Sequence, residues 1–135
     1  MELLDSRRLT GGGLVLDRPG AVMDVRVSDG DVEALIAAWR AAATRMLSEV
    51  GWKGERVVAR RYAGGASLAI SAPPDSLYSA ADLNEWAWCA AEAAMRRLPE
   101  PELGPAAERL REAIAAERNP ALLAAGSGKV RSCFS

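Results

Sequence analysis

The chain has 135 residues, half of them apolar and 26% charged, a composition that supports one folded core and excludes a disordered chain. Its 17 Lys and Arg nearly balance 18 Asp and Glu, leaving a net charge of -1, so no overall field draws it to nucleic acid or to an anionic membrane. Histidine is absent, which removes Ser-His-Asp and Cys-His nucleophile systems and the imidazole that most catalytic zinc sites use.

Cys89 and Cys133 form no CxxC pair and fit a reducing compartment better than a stapled secreted fold. Met1 to Asp5 lacks a basic segment followed by an apolar run, and no stretch approaches the ~18 apolar residues of a membrane span. The expectation is a cytoplasmic protein.

Leu14-Val15-Leu16 is a short apolar run, and Asp17-Arg18-Pro19-Gly20 follows as a turn tetrad. From Ala21 to Val27 residues alternate, with Val22, Asp24 and Arg26 on one side and Ala21, Met23, Val25 and Val27 on the other. A hairpin around Pro19-Gly20 is the economical reading. Ser28 and Asp31 have the spacing of a helix-capping box, with Val27 and Val32 as a hydrophobic staple. Apolar residues then recur at helical spacing from Val32 to Val50, and Gly51 is placed to end the helix in the left-handed conformation.

Glu55–Tyr62 and Ser67–Ala72 read as strands of a second hairpin around Ala63-Gly64-Gly65-Ala66, closed by Pro73-Pro74. A second helix opens on a Ser79/Asp82 box with a Tyr78/Leu83 staple. Its core stripe is Leu83, Trp86, Ala87, Ala90, Ala94 and Leu98, and Pro99 and Pro101 close it. A third helix runs from about Gly104 to Arg118 with Leu103, Ala107, Leu110 and Ile114 inward. Asn119-Pro120 begins a short helical piece, and the residues after Ala125 carry no period. The order ββαββαα predicts an α+β two-layer sandwich: a four-stranded, mainly antiparallel sheet of two hairpins with three helices. Residues 1–125 form one domain, and 126–135 a disordered or atypical tail.

Thr10-Gly11-Gly12-Gly13 precedes a strand instead of following one, so it reads as a turn and not a phosphate loop. Gly126-Ser127-Gly128-Lys129 lacks the earlier glycine of a P-loop, where Leu123 stands. The stripe Asp82, Glu85, Cys89, Glu92, Arg96 reads first as a solvated helix face with a Glu92–Arg96 pair, since one helix face diverges from any metal. Arg7, Arg8, Arg56, Arg60 and Arg61 suit bidentate recognition of a carboxylate, either a ligand's or the domain's own. Trp88 lies off the core stripe, where helix 3 or a partner covers it.

Ser6-Arg7-Arg8-Leu9-Thr10-Gly11, Asp17-Arg18-Pro19-Gly20-Ala21-Val22, Asn84-Glu85-Trp86-Ala87-Trp88 and Ala116-Glu117-Arg118-Asn119-Pro120-Ala121-Leu122-Leu123 follow one another along the chain. Together they resemble the N-terminal region of cyanophycin synthetase-like proteins, which precedes a Mur ligase-like ATP-dependent module. The ligase's Gly-Thr-Asn-Gly-Lys-Thr-Thr loop has no counterpart here. The resemblance therefore implies a non-catalytic domain, without cofactor or metal, that holds an Asp- and Arg-containing peptide or polymer or docks a ligase module or separate ligase protein. Arg7, Arg8, Arg60 and Arg61 would meet ligand carboxylates, and Asp82 and Glu85 ligand guanidiniums. The alternative is a structural assembly domain that homodimerises through helix 2, with Trp88 at the interface, and the open sheet face. No nucleic acid or membrane partner is expected.

Overall fold

A computed structural model describes residues 1–10 and 16–119. The order is β1 (Glu2–Leu9), β2 (Gly20–Arg26), α1 (Val32–Glu49), β3 (Val57–Tyr62), β4 (Gly65–Ser71), α2 (Leu77–Met95) and α3 (Leu103–Arg118). The strands form one antiparallel sheet in the order β1-β2-β4-β3. This is the expected α+β arrangement of helices on a four-stranded sheet, in the order ββαββαα.

The alternation read in β2 places its side chains. Ala21, Met23, Val25 and Val27 enter the main core with Trp39, Met46, Leu68, Ile70 and Leu83, between sheet and helices. Val22, on the other side, meets Ala69 and Leu16 in a small cluster on the opposite face, flanked by Leu9 and Val58. Two buried aromatic and amide groups tie the layers together: Trp39 Nε1 donates to Asn84 Oδ1 at 2.8 Å, and Asn84 Nδ2 donates to the Leu68 carbonyl at 3.0 Å. Each buried polar atom of Asn84 is thereby matched, as burial demands.

The first strand corrects the sequence reading. β2 pairs with Glu2–Leu9, not with residues 14–16. Leu16 is outside any strand but fully buried, and Leu14 and Val15 lie outside the described residues. β1 was unreadable because it is a polar edge strand with a bulge between Leu3 and Asp5, which breaks any two-residue period.

Helix ends shift for identifiable reasons. α1 begins at Val32, three residues after the expected start, and Ser28 Oγ donates to Asp31 Oδ2 (2.9 Å) instead of accepting from a helix N–H. Its C-terminus is a Schellman end as read: Gly51 has φ +84, Gly51 N bonds Ser48 O and Trp52 N bonds Leu47 O. α2 starts at Leu77, before the expected box, so Ser79 and Asp82 lie inside it, and Tyr78 is exposed rather than a staple. It ends at Met95, ahead of the prolines, because Arg97 takes the left-handed conformation (φ 56) and Leu98 N bonds Ala93 O. Ala94 and Leu98 are consequently exposed, outside the core. β3 begins at Val57 and β4 at Gly65, with a tight Ala63-Gly64 turn between them (Gly64 φ +84). The readings at Pro120 and at 126–135 lie outside the described residues. No helix among the described residues is long and apolar enough to cross a membrane.

Candidate functional site: the carboxylate face of helix 2

Among the expected ligand residues, the arginines on the sheet divide into satisfied and free. Arg7 Nη1 donates to Asp24 Oδ2 at 2.6 Å and to Asp5 Oδ2 at 3.0 Å. Ser67 Oγ donates to Asp24 Oδ1 at 2.6 Å. Burial pushes the Asp24 carboxyl up, but the bonds from Ser67 and Arg7 outweigh it and hold it below its ordinary value. The bond to Asp24 likewise raises Arg7. Arg61, on the helix side of β3, bonds Glu33 of α1. Both guanidiniums thus pair within the chain, which fills the role that a ligand carboxylate would have taken. Arg60 faces the opposite side, beside Ser67 of β4, and has no ion pair among the described residues.

The acidic residues behave differently. The stripe read as a solvated face of the second helix is half-buried or buried: Asp82 and Glu85 are partly covered, and Cys89 and Glu92 are buried. The Glu92–Arg96 pair is present at 3.1 Å. Helix 2 is wrapped because it lies between α1, α3 and strands β1, β2 and β4, so few of its positions reach water. Trp88 is only 5% exposed and belongs to the core, which removes it as an interface anchor on the single chain.

Glu117 of α3, which no motif in the sequence marks as a site residue, completes the site. Its Oε2 accepts from the Tyr78 N–H (2.9 Å), and its Oε1 from the Ser79 N–H and Oγ (both 2.8 Å). With Ser76 as N-cap, these are the N–H groups that an N-cap side chain ordinarily satisfies. A carboxylate from another helix does that work here, while Ser76 Oγ turns to Asp75. No local signal in the α2 sequence could have revealed this.

One turn further along lie the unsatisfied groups. Asp82 Oδ1 and Trp86 Nε1 are both shielded from water and have no hydrogen-bond partner among the described residues. They are four residues apart, so they stand on successive turns of one face. Burial, then the negative charges of Glu85 and Glu117, push the Asp82 carboxyl up from 3.8 to about 7. Burial also raises Glu85. Neither carboxylate has an ion-pair partner among the described residues. Arg8, on the helix side of β1, stacks on the Tyr78 ring at 4.0 Å, at the near end of this face. Chemically, the face offers an orphan acceptor, an orphan donor and surplus negative charge. No cluster of metal-ligating side chains occurs among the described residues.

Comparison with known proteins finds no matching family model, no matching curated protein and no matching solved structure.

Proposed function

We propose that this chain is a binding or docking domain that grips a cationic segment and leaves bond formation to an ATP-dependent, Mur ligase-like module or partner. The carrying observation is the pair of orphaned polar atoms, Asp82 Oδ1 and Trp86 Nε1, beside Glu85 and Glu117. Buried polar groups without partners are rare in folded proteins and mark places completed by something else. A guanidinium supplies donors to Asp82 and Glu85, and a neighbouring carbonyl or carboxylate accepts from Trp86. An Asp- and Arg-containing peptide or polymer carries both, which agrees with the resemblance to cyanophycin synthetase-like N-terminal regions. Arg8 remains to meet its carboxylates; Arg60 lies on the other face of the sheet, and Arg7 and Arg61 are paired already, so these three do not enter.

Calorimetric titration with an oligomeric Asp-Arg peptide tests this. Binding is expected to weaken with added salt, and Asp82→Asn or Glu85→Gln to weaken it about tenfold, the worth of one charged hydrogen bond. Absence of heat at low salt, or affinity indifferent to both substitutions, rejects the proposal.

A further inference from the structure

The two edges of the sheet are not alike. At the β3 edge, α1 reaches over: Arg40 Nη1 donates to the Val57 carbonyl at 2.7 Å, and Glu33 bonds Arg61. At the β1 edge no described element covers the strand: Glu2 to Ser6 are exposed along its length, and two adjacent leucines, Leu3 (36%) and Leu4 (47%), face water. An open edge presents unpaired N–H and C=O groups and accepts another strand wherever its side chains allow.

Which strand it accepts follows from β1 itself. Charged residues on an edge repel a copy only if like charges fall opposite one another. Around Ser6 the sequence reads Asp5-Ser6-Arg7, so an antiparallel copy centred on Ser6 sets Asp5 opposite Arg7 twice. Asp5 and Arg7 share one face of the sheet, since they pair with Asp24 and Val22 of β2, which also share a face. The in-chain bonds do not use these groups up. Both bonds of Arg7 leave from Nη1, and Asp5 accepts only at Oδ2, so Nη2, Nε and Oδ1 remain available. The bulge lies before Asp5, so the Asp5–Leu9 stretch is regular, and Leu3 and Leu4 fall beside Arg8 and Leu9 of the copy.

We infer that β1 is a homodimer interface: two copies join edge to edge, antiparallel about a two-fold axis at Ser6, into one continuous eight-stranded sheet. This is independent of the carboxylate face of α2 and stands or falls separately from it.

Sedimentation velocity of the full chain across a concentration series tests the pairing. A reversible dimer is expected. Asp5→Arg sets like charges opposite one another at two places and is expected to weaken it about tenfold, as is Leu4→Lys. Asp5→Arg and Arg7→Asp chains, each poorly self-associating, are expected to dimerise when mixed, because opposite charges then meet at both positions. Circular dichroism establishes that each variant is folded, and Leu4→Lys serves if Arg7→Asp is not. A monomer at every concentration overturns the inference and leaves the edge open to a strand of another protein. A dimer untouched by both Asp5→Arg and Leu4→Lys overturns it equally.

Discussion

Replacing Asp82 by Asn is expected to stabilise the fold at neutral and alkaline pH. The folded carboxyl titrates at about 7 against 3.8 for the ordinary group, because burial and then Glu85 and Glu117 oppose its charge. Between these values the folded chain holds a proton that the unfolded chain has released, so stability falls as pH rises through that window. Below 3.8 both states are protonated and the group costs nothing. Above 7 both are ionised and the full penalty applies. At 1.36 kcal/mol per pH unit the displacement bounds that penalty at about 4 kcal/mol. Asp82 is partly exposed, and solvent screening reduces the figure to about 1–2 kcal/mol. Asn is near-isosteric and carries no charge, so urea unfolding should give a gain of about 1–2 kcal/mol at pH 8. The gain should shrink steadily below pH 7 and vanish near pH 3.5. A gain independent of pH, or a loss at pH 8, would show that Asp82 is already neutralised within the chain. The same substitution should weaken ligand binding, so stability and binding move in opposite directions.

Asn84→Ala strands the Trp39 N–H and the Leu68 carbonyl and opens a cavity, and should cost about 2–4 kcal/mol by urea unfolding. Gly65→Ala places a methyl 2.1 Å from the Val25 carbonyl, which is backbone and cannot move aside; a loss of about 3 kcal/mol or more should appear as a lowered denaturation midpoint. Arg97→Gly relieves a left-handed residue at the α2 terminus and should stabilise by about 1 kcal/mol in the same assay. Arg60→Ala should leave stability within about 0.5 kcal/mol, since no ion pair among the described residues is lost, and should leave peptide affinity in calorimetry unchanged, since Arg60 lies on the sheet face away from α2.

What could be read in the sequence was what local chemistry decides. Alternation in β2 reflects one sheet with two unlike faces, and Gly51 and Gly64 supply the positive φ that their turns require. β1 leaves no periodic signal because an exposed edge strand has no buried face to impose a pattern on Glu2–Leu9. The α2 start carries no local signal because its N–H groups are satisfied by Glu117, 38 and 39 residues away, and the Ser79/Asp82 spacing mimics a local cap. The acidic stripe looked solvated for a related reason. A helix flanked by α1, α3 and β1 is buried almost all round, which periodicity on one helix cannot register. The sequence places Asp82 and Glu85 on one helix face, but their burial, their association with Glu117 and the orphaned Trp86 N–H emerge only from the tertiary arrangement.

The carboxyl resonance of Asp82, followed by NMR against pH with and without saturating Asp-Arg peptide, tests the central claim most directly. The expected midpoint is near 7 for the chain alone, falling by about one unit or more when a guanidinium sits against the carboxylate. A midpoint unmoved by peptide would contradict the claim that this face of helix 2 exists to hold a cation.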